Sequence, residues 1–378
     1  MVSREKLEFD QSWLHNRIES LFIRMRYITN RSNLRPTDPP SDIAAALSRR
    51  LIGQPAAIAA IVPYVEMHRA MLSPEGRPAG VFLLLGPTGT GKTRTVEALA
   101  EVLHGTHRKL LKVDCGEYQM EHEVAKLLGA PPGYLGHRET QPLLTQQKVN
   151  AAASESCDLS IVLFDEIEKA APTLMRLLLG VLDKGTLRLG DNTVVNFEKS
   201  LIFLTSNLGA REMRHELHPD FGFESVLPRA AASTKLEAIG MSAVRRNFSP
   251  EFVNRIDAVV TFQPLSPAAL LEILDQQIGN LQDQLDRRMG DRSFFLDVPA
   301  RARKFLLERG TSSEYGAREL KRTLQRHLIQ PLAALVSAGE IESASYIRVE
   351  LAPRKDRLVL RRVDAPQVPE EDLLAPAC

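Results

Sequence analysis

Short apolar runs recur along the first two thirds of the chain, and each ends where polar residues begin. Residues 81–85, 109–114, 159–165 and 201–206 are of this kind. Unbroken apolar runs of strand length predict strands covered on both faces. Between them the apolar spacing widens to that of a helix, as in residues 94–103. Alternation of strand and helix predicts that residues 42–264 form an α/β unit, a parallel sheet between two layers of helices. Ligands in such sheets sit at the C-terminal ends of the strands.

From residue 265 the pattern changes. Residues 267–288 and 300–309 read as helices, and 317–336 as a third, bent at Pro331. Residues 346–351 and 357–362 read as two short strands joined by a turn. The segment 265–362 is therefore predicted to be a smaller, mainly helical unit with a minor sheet. Residues 1–41 form an N-terminal appendage. Within it, Leu14, Ile18, Leu21, Phe22, Met25 and Ile28 lie at helical spacing, and three prolines between 35 and 41 mark a linker. Residues 363–378, with Pro366, Pro369 and Pro376, are predicted to be a disordered tail.

Composition adds bounds. The 378 residues are 44% hydrophobic and 25% charged, the balance of a soluble globular protein of two units. A net charge of +1 supplies no global field toward nucleic acid or an anionic membrane. The three cysteines, Cys115, Cys157 and Cys378, follow no metal spacing and suggest a reducing compartment. No signal-peptide core and no bilayer-length apolar run is seen, so the cytoplasm is the expected location and no membrane partner is expected.

The chemistry concentrates at strand ends. Gly86-Pro87-Thr88-Gly89-Thr90-Gly91-Lys92-Thr93 is a G-x-x-x-x-G-K-T loop between a strand and a helix. Glycines let several N–H groups converge on one anion, and the helix N-terminus adds favourable potential. Lys92 would reach the outer phosphates of a nucleotide, and the Thr93 hydroxyl would hold Mg²⁺. About seventy residues on, an apolar strand delivers Asp165 and Glu166. Asp165 is placed to hold Mg²⁺ through water, and Glu166 to orient or deprotonate an attacking water. Asn207 follows the strand 201–206 and could hydrogen-bond that water or the terminal phosphate. Arg255 and Arg318 are candidate guanidiniums near the end of the large unit and at the start of a small-unit helix. His215 and His218 lack a third ligand at recognisable spacing and read as a solvated helix face.

Together these residues resemble the AAA+ ATPase module of the Clp unfoldase and chaperone family. The likeness is strongest to the second ring module, and here it appears as a single module spanning residues 41–362. The segments that carry it are Leu51-Ile52-Gly53-Gln54, the phosphate loop, and Gly129-Ala130-Pro131-Pro132-Gly133-Tyr134-Leu135-Gly136. The Asp165–Glu166 strand, Thr205-Ser206-Asn207, residues 248–257 and residues 316–320 complete it. The resemblance implies a P-loop, three-layer parallel-sheet AAA+ large domain followed by a small helical domain. It implies ATP and Mg²⁺ as ligands, and ATP hydrolysis at the subunit interfaces of a homo-oligomeric ring, a hexamer. The work done would be threading of unfolded or tagged protein substrates through a central pore. Ile52 and Gly53 would then lie near the adenine. Asn207 would be sensor 1, Arg255 an arginine finger acting on a neighbour, and Arg318 sensor 2. Tyr134, flanked by Gly133, Leu135 and Gly136, would grip the substrate from a pore loop.

The chain also departs from the family. His137-Arg138-Glu139-Thr140-Gln141-Pro142 is more basic than the family's usual continuation, and no coiled-coil insertion is present. Neither a second ATPase module nor a globular N-domain is expected within residues 1–40. Phe221-Gly222-Phe223 lies near where peptidase-partnered members carry a docking loop, but it begins with an aromatic residue. A docking loop for a peptidase ring and an ordinary surface loop are both open there, and a peptidase ring or an adaptor is the further partner the resemblance leaves open. Two rivals use the same residues: a scaffold that binds nucleotide without turnover, and a nucleic-acid motor. The presence of both Glu166 and Arg255 argues against the first. The near-neutral charge and the Gly-Tyr-Leu-Gly loop argue against the second.

Overall fold

The computed structural model describes residues 42–129, 142–217, 229–311, 316–353 and 356–363. The helix expected at 10–28, the linker at 35–41, the Gly133–Gly136 loop, His218, the 221–223 segment and residues 364–378 lie outside the described residues. Two compact units divide the rest, one running through Ala269 and the other beginning at Leu270, with Gly316 and Ala317 counted in the first.

The first unit opens with helices α1 (Ile43–Ser48) and α2 (Pro55–Arg69). Strand β1 (Gly80–Leu85), helix α3 (Lys92–His104) and strand β2 (Leu111–Asp114) follow. Next come α4 (Glu121–Leu128), α5 (Gln146–Ala151), β3 (Ser160–Asp165) and α6 (Pro172–Lys184). A hairpin of β4 (Thr186–Arg188) and β5 (Val194–Asn196) precedes β6 (Ser200–Ser206). The unit closes with α7 (Ala210–Leu217), α8 (Arg229–Asn247), α9 (Pro250–Val253) and β7 (Ala258–Thr261). Five strands pair in the order β2-β3-β6-β1-β7, all parallel.

Alternation along each strand builds two cores. Val81, Leu83, Leu85, Val162, Phe164, Ile202 and Leu204 pack with Leu174, Leu178 and Val181 of α6. Phe82, Leu84, Ile161, Leu163, Leu201 and Phe203 pack on the opposite face, with residues of α2 and α3. Every residue of β1 and β6 is buried, as expected for central strands covered by helices on both sides. Each large apolar side chain so covered contributes roughly 1.5–3 kcal/mol, which fixes the register that brings the C-terminal ends of β1, β3 and β6 level.

Three details differ from the sequence reading. Strand β2 starts at Leu111 rather than Lys109, because the Lys109 N–H is turned onto Thr106 O (3.4 Å). Strand β7 was not among the expected strands. It is short, and its register is set by Asp257. The Asp257 N–H donates to Val81 O (2.9 Å), while its carboxylate accepts from the Val81 N–H (2.8 Å) and from Arg77 (2.7 Å). The β4–β5 hairpin, with Asn192 at φ 68°, was also missed.

In the second unit, α10 (Pro267–Met289), β8 (Phe295–Asp297) and α11 (Ala300–Gly310) precede α12 (Ala317–Leu324). A π-helical turn (Gln325–Ile329) joins α12 to α13 (Gln330–Ser337), and β9 (Tyr346–Leu351) and β10 (Leu358–Val363) finish it. The bend expected at Pro331 takes the form of that π-turn. Proline has no N–H to give to the preceding turn, and the Gln330 N–H reaches back five residues to Gln325 O. Strands β9 and β10 pair antiparallel as expected, but β8 adds a third, parallel strand. Val363, assigned to the tail from sequence, is the last residue of β10. Phe294, Leu332 and Ile347 are buried together at the centre of this unit.

The C-terminus of α2 carries a backbone irregularity. Met71 has φ 57° and is 92% exposed. Its N–H donates to His68 O and the Leu72 N–H to Met67 O, the paired bonds of a helix stop that favours glycine at Met71. A left-handed L-residue costs about 1 kcal/mol. Met71→Gly is therefore expected to stabilise the chain by about that amount and to raise the thermal midpoint by about 2 °C. A calorimetric scan showing no rise would contradict this.

Candidate nucleotide site

The loop after β1 is shaped by glycines in conformations that other residues avoid. Gly86 has φ 139°, Gly89 80° and Gly91 104°. A Cβ on Gly86 would stand 2.6 Å from Phe262 O on β7's C-terminal side, so the turn out of the sheet is closed to any side chain. Gly91 caps α3, which turns the first N–H groups of that helix toward the loop. Inside the loop the buried Thr90 hydroxyl donates to Pro87 O (2.9 Å). The buried Gln54 amide ties Thr90 O (3.0 Å) to Gln263 O (2.8 Å). Gln54 is adjacent to Ile52, which is buried, and Gly53, whose φ is 77°. A Cβ on Gly53 would come within 3.1 Å of Leu265 and 3.2 Å of Ala269. The backbone at 52–54 therefore lies against Leu265 and Ala269 of the same unit on one side and is strapped to the phosphate loop on the other.

The acidic and basic side chains form one connected set. The buried Lys92 ammonium donates to Gly86 O (2.6 Å), Pro87 O (3.0 Å) and Asn207 Oδ1 (2.9 Å). The Asn207 Nδ2 group donates to Glu166 Oε1 (3.3 Å). The cation takes the amide oxygen and the carboxylate takes the amide nitrogen, so charge dictates which way this side chain points. Asn207 thus bridges the lysine of the loop to the second acid of β3. Its own N–H donates to Glu168 Oε1 (3.0 Å).

Asp165 ends β3 beside α3. Its Oδ1 is 3.4 Å from the Thr93 hydroxyl and accepts from the Thr205 hydroxyl, while Oδ2 pairs with Lys112 at 2.7 Å. Burial pushes this carboxyl up, but Lys112 and then Thr205 and Thr93 outweigh burial and hold it below the usual aspartate range. It is a carboxylate at neutral pH. Glu166, the next residue, adopts φ 57° and ψ 50°, and its carboxylate meets Asn207 and Lys169 rather than the partners of Asp165. Glu166 Oε2 is 2.5 Å from Lys169 Nζ, and this contact raises the lysine's pKa.

A hydroxyl and a carboxylate on adjoining elements are the hard oxygen donors that suit Mg²⁺. Among the described residues no cluster of three or more His, Cys, Asp or Glu side chains is set to hold a metal unaided. Mg²⁺ does not require one, since it keeps waters and shares phosphate oxygens.

Of the residues marked from sequence, the structure brings together Gly86 to Thr93, Asp165, Glu166 and Asn207, with Ile52 and Gly53 close by. Arg255 is held elsewhere on the same unit. It donates to Glu251 O (2.9 Å), pairs with Glu251 Oε1 (3.1 Å) and lies 3.6 Å from Asp183. Arg318 belongs to the second unit, on the exposed face of α12 with Lys321 and Arg322. His215 is exposed on α7. Sequence reasoning missed Gln54, Lys112, Thr205, Glu168 and Lys169 as individual contributors. Lys112, Thr205 and Glu168 act through contacts that the strand register creates, Gln54 through contacts with Thr90 and Gln263, and Lys169 through a local contact three residues from Glu166. Gln54 and Thr205 stood inside segments already singled out.

A P-loop beside an adjacent acid pair and an amide bridge, on a sheet of order β2-β3-β6-β1-β7, defines a P-loop nucleotide-binding module. Residues 77–259 match the family described as AAA domain (Cdc48 subfamily). Residues 265–349 match the C-terminal, D2-small domain of ClpB protein. The chain is 37% identical over 314 residues to the chaperone protein ClpB of Mycobacterium tuberculosis (strain ATCC 25618 / H37Rv), covering 83% of this chain and 33% of that one. It is 36% identical over 307 residues to ClpB of Meiothermus ruber, covering 81% and 34%. Among solved structures, the extended conformation of the S. cerevisiae Hsp104:casein complex superposes with a TM-score of 0.71 at 29% identity, over 84% of this chain and 51% of that chain. A closed-state reconstruction of Hsp104 with ATPγS and FITC casein gives 0.69 at 29% identity, over 85% and 51%. The chain spans about a third of the length of the curated relatives it matches. It belongs to the Clp family of AAA+ proteins and corresponds to their second ATPase module.

Proposed function

We propose that this chain binds ATP with Mg²⁺, hydrolyses it, and uses the energy to remodel proteins as part of a ring. The observation that carries the reading is the Asn207 bridge between Lys92 and Glu166, with Asp165 beside the Thr93 hydroxyl. In this reading the N–H groups of the glycine loop and Lys92 hold the phosphates, and Ile52 and Gly53 border the adenine. Thr93 and Asp165 hold Mg²⁺, which supplies positive charge to the terminal phosphates. Glu166 orients the attacking water and accepts its proton, and Asn207 keeps that carboxylate and Lys92 in fixed relation. Charge that spreads over the transferred phosphoryl oxygens is met by Lys92, by Arg318 and by Arg255 of an adjacent copy. An arginine that serves a neighbour makes a lone subunit incomplete, so a closed ring follows, a hexamer by likeness to the family.

The substrates in this reading are unfolded or tagged polypeptides, gripped by Tyr134 between Gly133 and Leu135-Gly136. Support comes from the likeness to Hsp104, solved with casein.

The test is phosphate release from ATP with and without Mg²⁺, together with the mass of the protein at saturating nucleotide. Turnover that needs Mg²⁺ and a ring-sized species are expected. A monomer that splits no ATP would overturn the reading. Activity stimulated by DNA and falling steeply with salt would favour a nucleic-acid motor instead. Tyr134→Ala is expected to leave basal hydrolysis within about twofold while slowing the unfolding of a tagged fluorescent substrate about tenfold, since only the contact with polypeptide is lost. Unchanged unfolding would remove the tyrosine from the pore.

A further inference from the structure

Asp165 and Glu166 are neighbours in sequence that must face different tasks, one toward the metal and one toward water. The chain leaves β3 for a short helical turn at Glu166, which is neither glycine nor asparagine and yet is left-handed at φ 57°. Main-chain pairing between β3 and β6 ends at Phe164 and Leu204. Beyond that point side chains take over from the ladder, and Thr205 is the first of them. The Thr205 hydroxyl donates to Asp165 Oδ1 and accepts from the Glu166 N–H at 3.0 Å. A hydroxyl has one proton and two lone pairs, so one atom fills both roles at once. Thr205 is 1% exposed, which leaves little room for water to stand in for it.

We propose that Thr205 is the positioning residue of this site: its hydroxyl sets the direction of the Asp165 carboxylate and pins the Glu166 peptide so that the two acids diverge. The inference rests on the ATPase reading above and deepens it. The Thr205 hydroxyl bonds to Asp165 and to the Glu166 N–H, and it acts through the two acids. The methyl group is not the active part, because the packing face of β6 is satisfied by Leu204 and Phe203 on either core.

Thr205→Val keeps the shape and strand preference of the side chain but removes the hydroxyl. Thr205→Ser keeps the hydroxyl and removes the methyl. Three readouts are taken on the full chain. These are phosphate release at saturating Mg²⁺ and ATP, the Kd for ATP, and hydrogen exchange at the Glu166 amide. Expected are a fall in kcat of about tenfold or more for Thr205→Val with Kd for ATP within about twofold, because Lys92 and the glycine loop are untouched. Exchange at the Glu166 amide should quicken at least about tenfold as its acceptor is lost. Thr205→Ser should keep both properties within about threefold of wild type.

Thr205→Val that turns over at the wild-type rate, or whose Glu166 amide stays protected, overturns the proposal. So does Thr205→Ser as impaired as Thr205→Val, which would make the methyl packing decisive. If Thr205→Val fails to fold, Thr205→Ala takes its place under the same three criteria. A wild-type chain that splits no ATP but shows the same exchange pattern across the variants sinks the ATPase reading and leaves the backbone anchor standing.

Discussion

Glu166→Gln is expected to bind ATP as wild type does and to hydrolyse it about 10²–10⁴-fold more slowly, the range removed with a general base. The substitution is close to isosteric, and the geometry explains why its effect should be confined to turnover. The glycine loop and Lys92 take their shape from Gly86 O, Pro87 O and Asn207, not from the Glu166 carboxylate. The left-handed backbone at Glu166 is held through main-chain groups. Its N–H donates to Thr205, and its carbonyl accepts from the Lys169 N–H at 2.9 Å. Glutamine leaves those bonds in place. What it removes is the anion that Asn207 and Lys169 flank. The Lys169 pair is half exposed and adds little to stability, so the melting temperature should stay within about 2 °C. Single-turnover phosphate release, read beside equilibrium binding of ATP, separates these statements. Equal rates for wild type and variant would dismiss Glu166 as the base, and a lost affinity would place it among the phosphate contacts.

Much of this site is legible from sequence because its parts are local. Gly86 to Thr93 are contiguous, and their chemistry follows from residue type and from a strand before and a helix after. The pair Asp165 and Glu166 is equally local, with four apolar residues pointing to a strand end. What cannot be read is anything that depends on which strands lie side by side. Lys112 alternates with buried Leu111 and Val113 on β2 and looks like an ordinary exposed strand residue. Only the β2–β3 pairing, with Asp114 opposite Asp165, carries it to within 2.7 Å of the Asp165 carboxylate. Thr205 is the same case across β3 and β6.

The short strands are illegible for a different reason. Strand β7 has four residues and no long apolar run, and its place beside β1 is fixed by the side chain of Asp257, 176 residues away from its partner Val81. Three-residue strands such as β8 carry too few positions for a period to emerge. The π-turn at Gln325–Ile329 shows the converse. The proline next to it is plain in the sequence, but the five-residue reach from the Gln330 N–H to Gln325 O, beside buried Leu328 and Leu332, has no sequence signature.

Arg255→Ala is expected to lower ATP turnover by about 10³-fold with binding of ATP kept, the scale of a lost arginine finger. In the structure this guanidinium is 22% exposed and rests on Asp183 and Glu251 of its own chain, through one 3.1 Å contact and one of 3.6 Å. Both contacts lie at the surface of the first unit, where Glu251 and Asp183 are at least half exposed. A finger that acts across a subunit boundary makes a prediction no local role shares. Rings of Arg255→Ala alone lack every finger, and rings of Glu166→Gln alone lack every base. Mixed rings regain complete sites wherever a subunit with its glutamate adjoins one with its arginine. At equal proportions and random order this holds for about a quarter of the interfaces, so the mixture should recover up to about a quarter of the wild-type rate. An arginine acting within its own subunit, or one that only steadies α6 through Asp183, yields a mixture as inactive as its parts. That outcome would remove the shared interface, and with it the requirement that this module work as a ring.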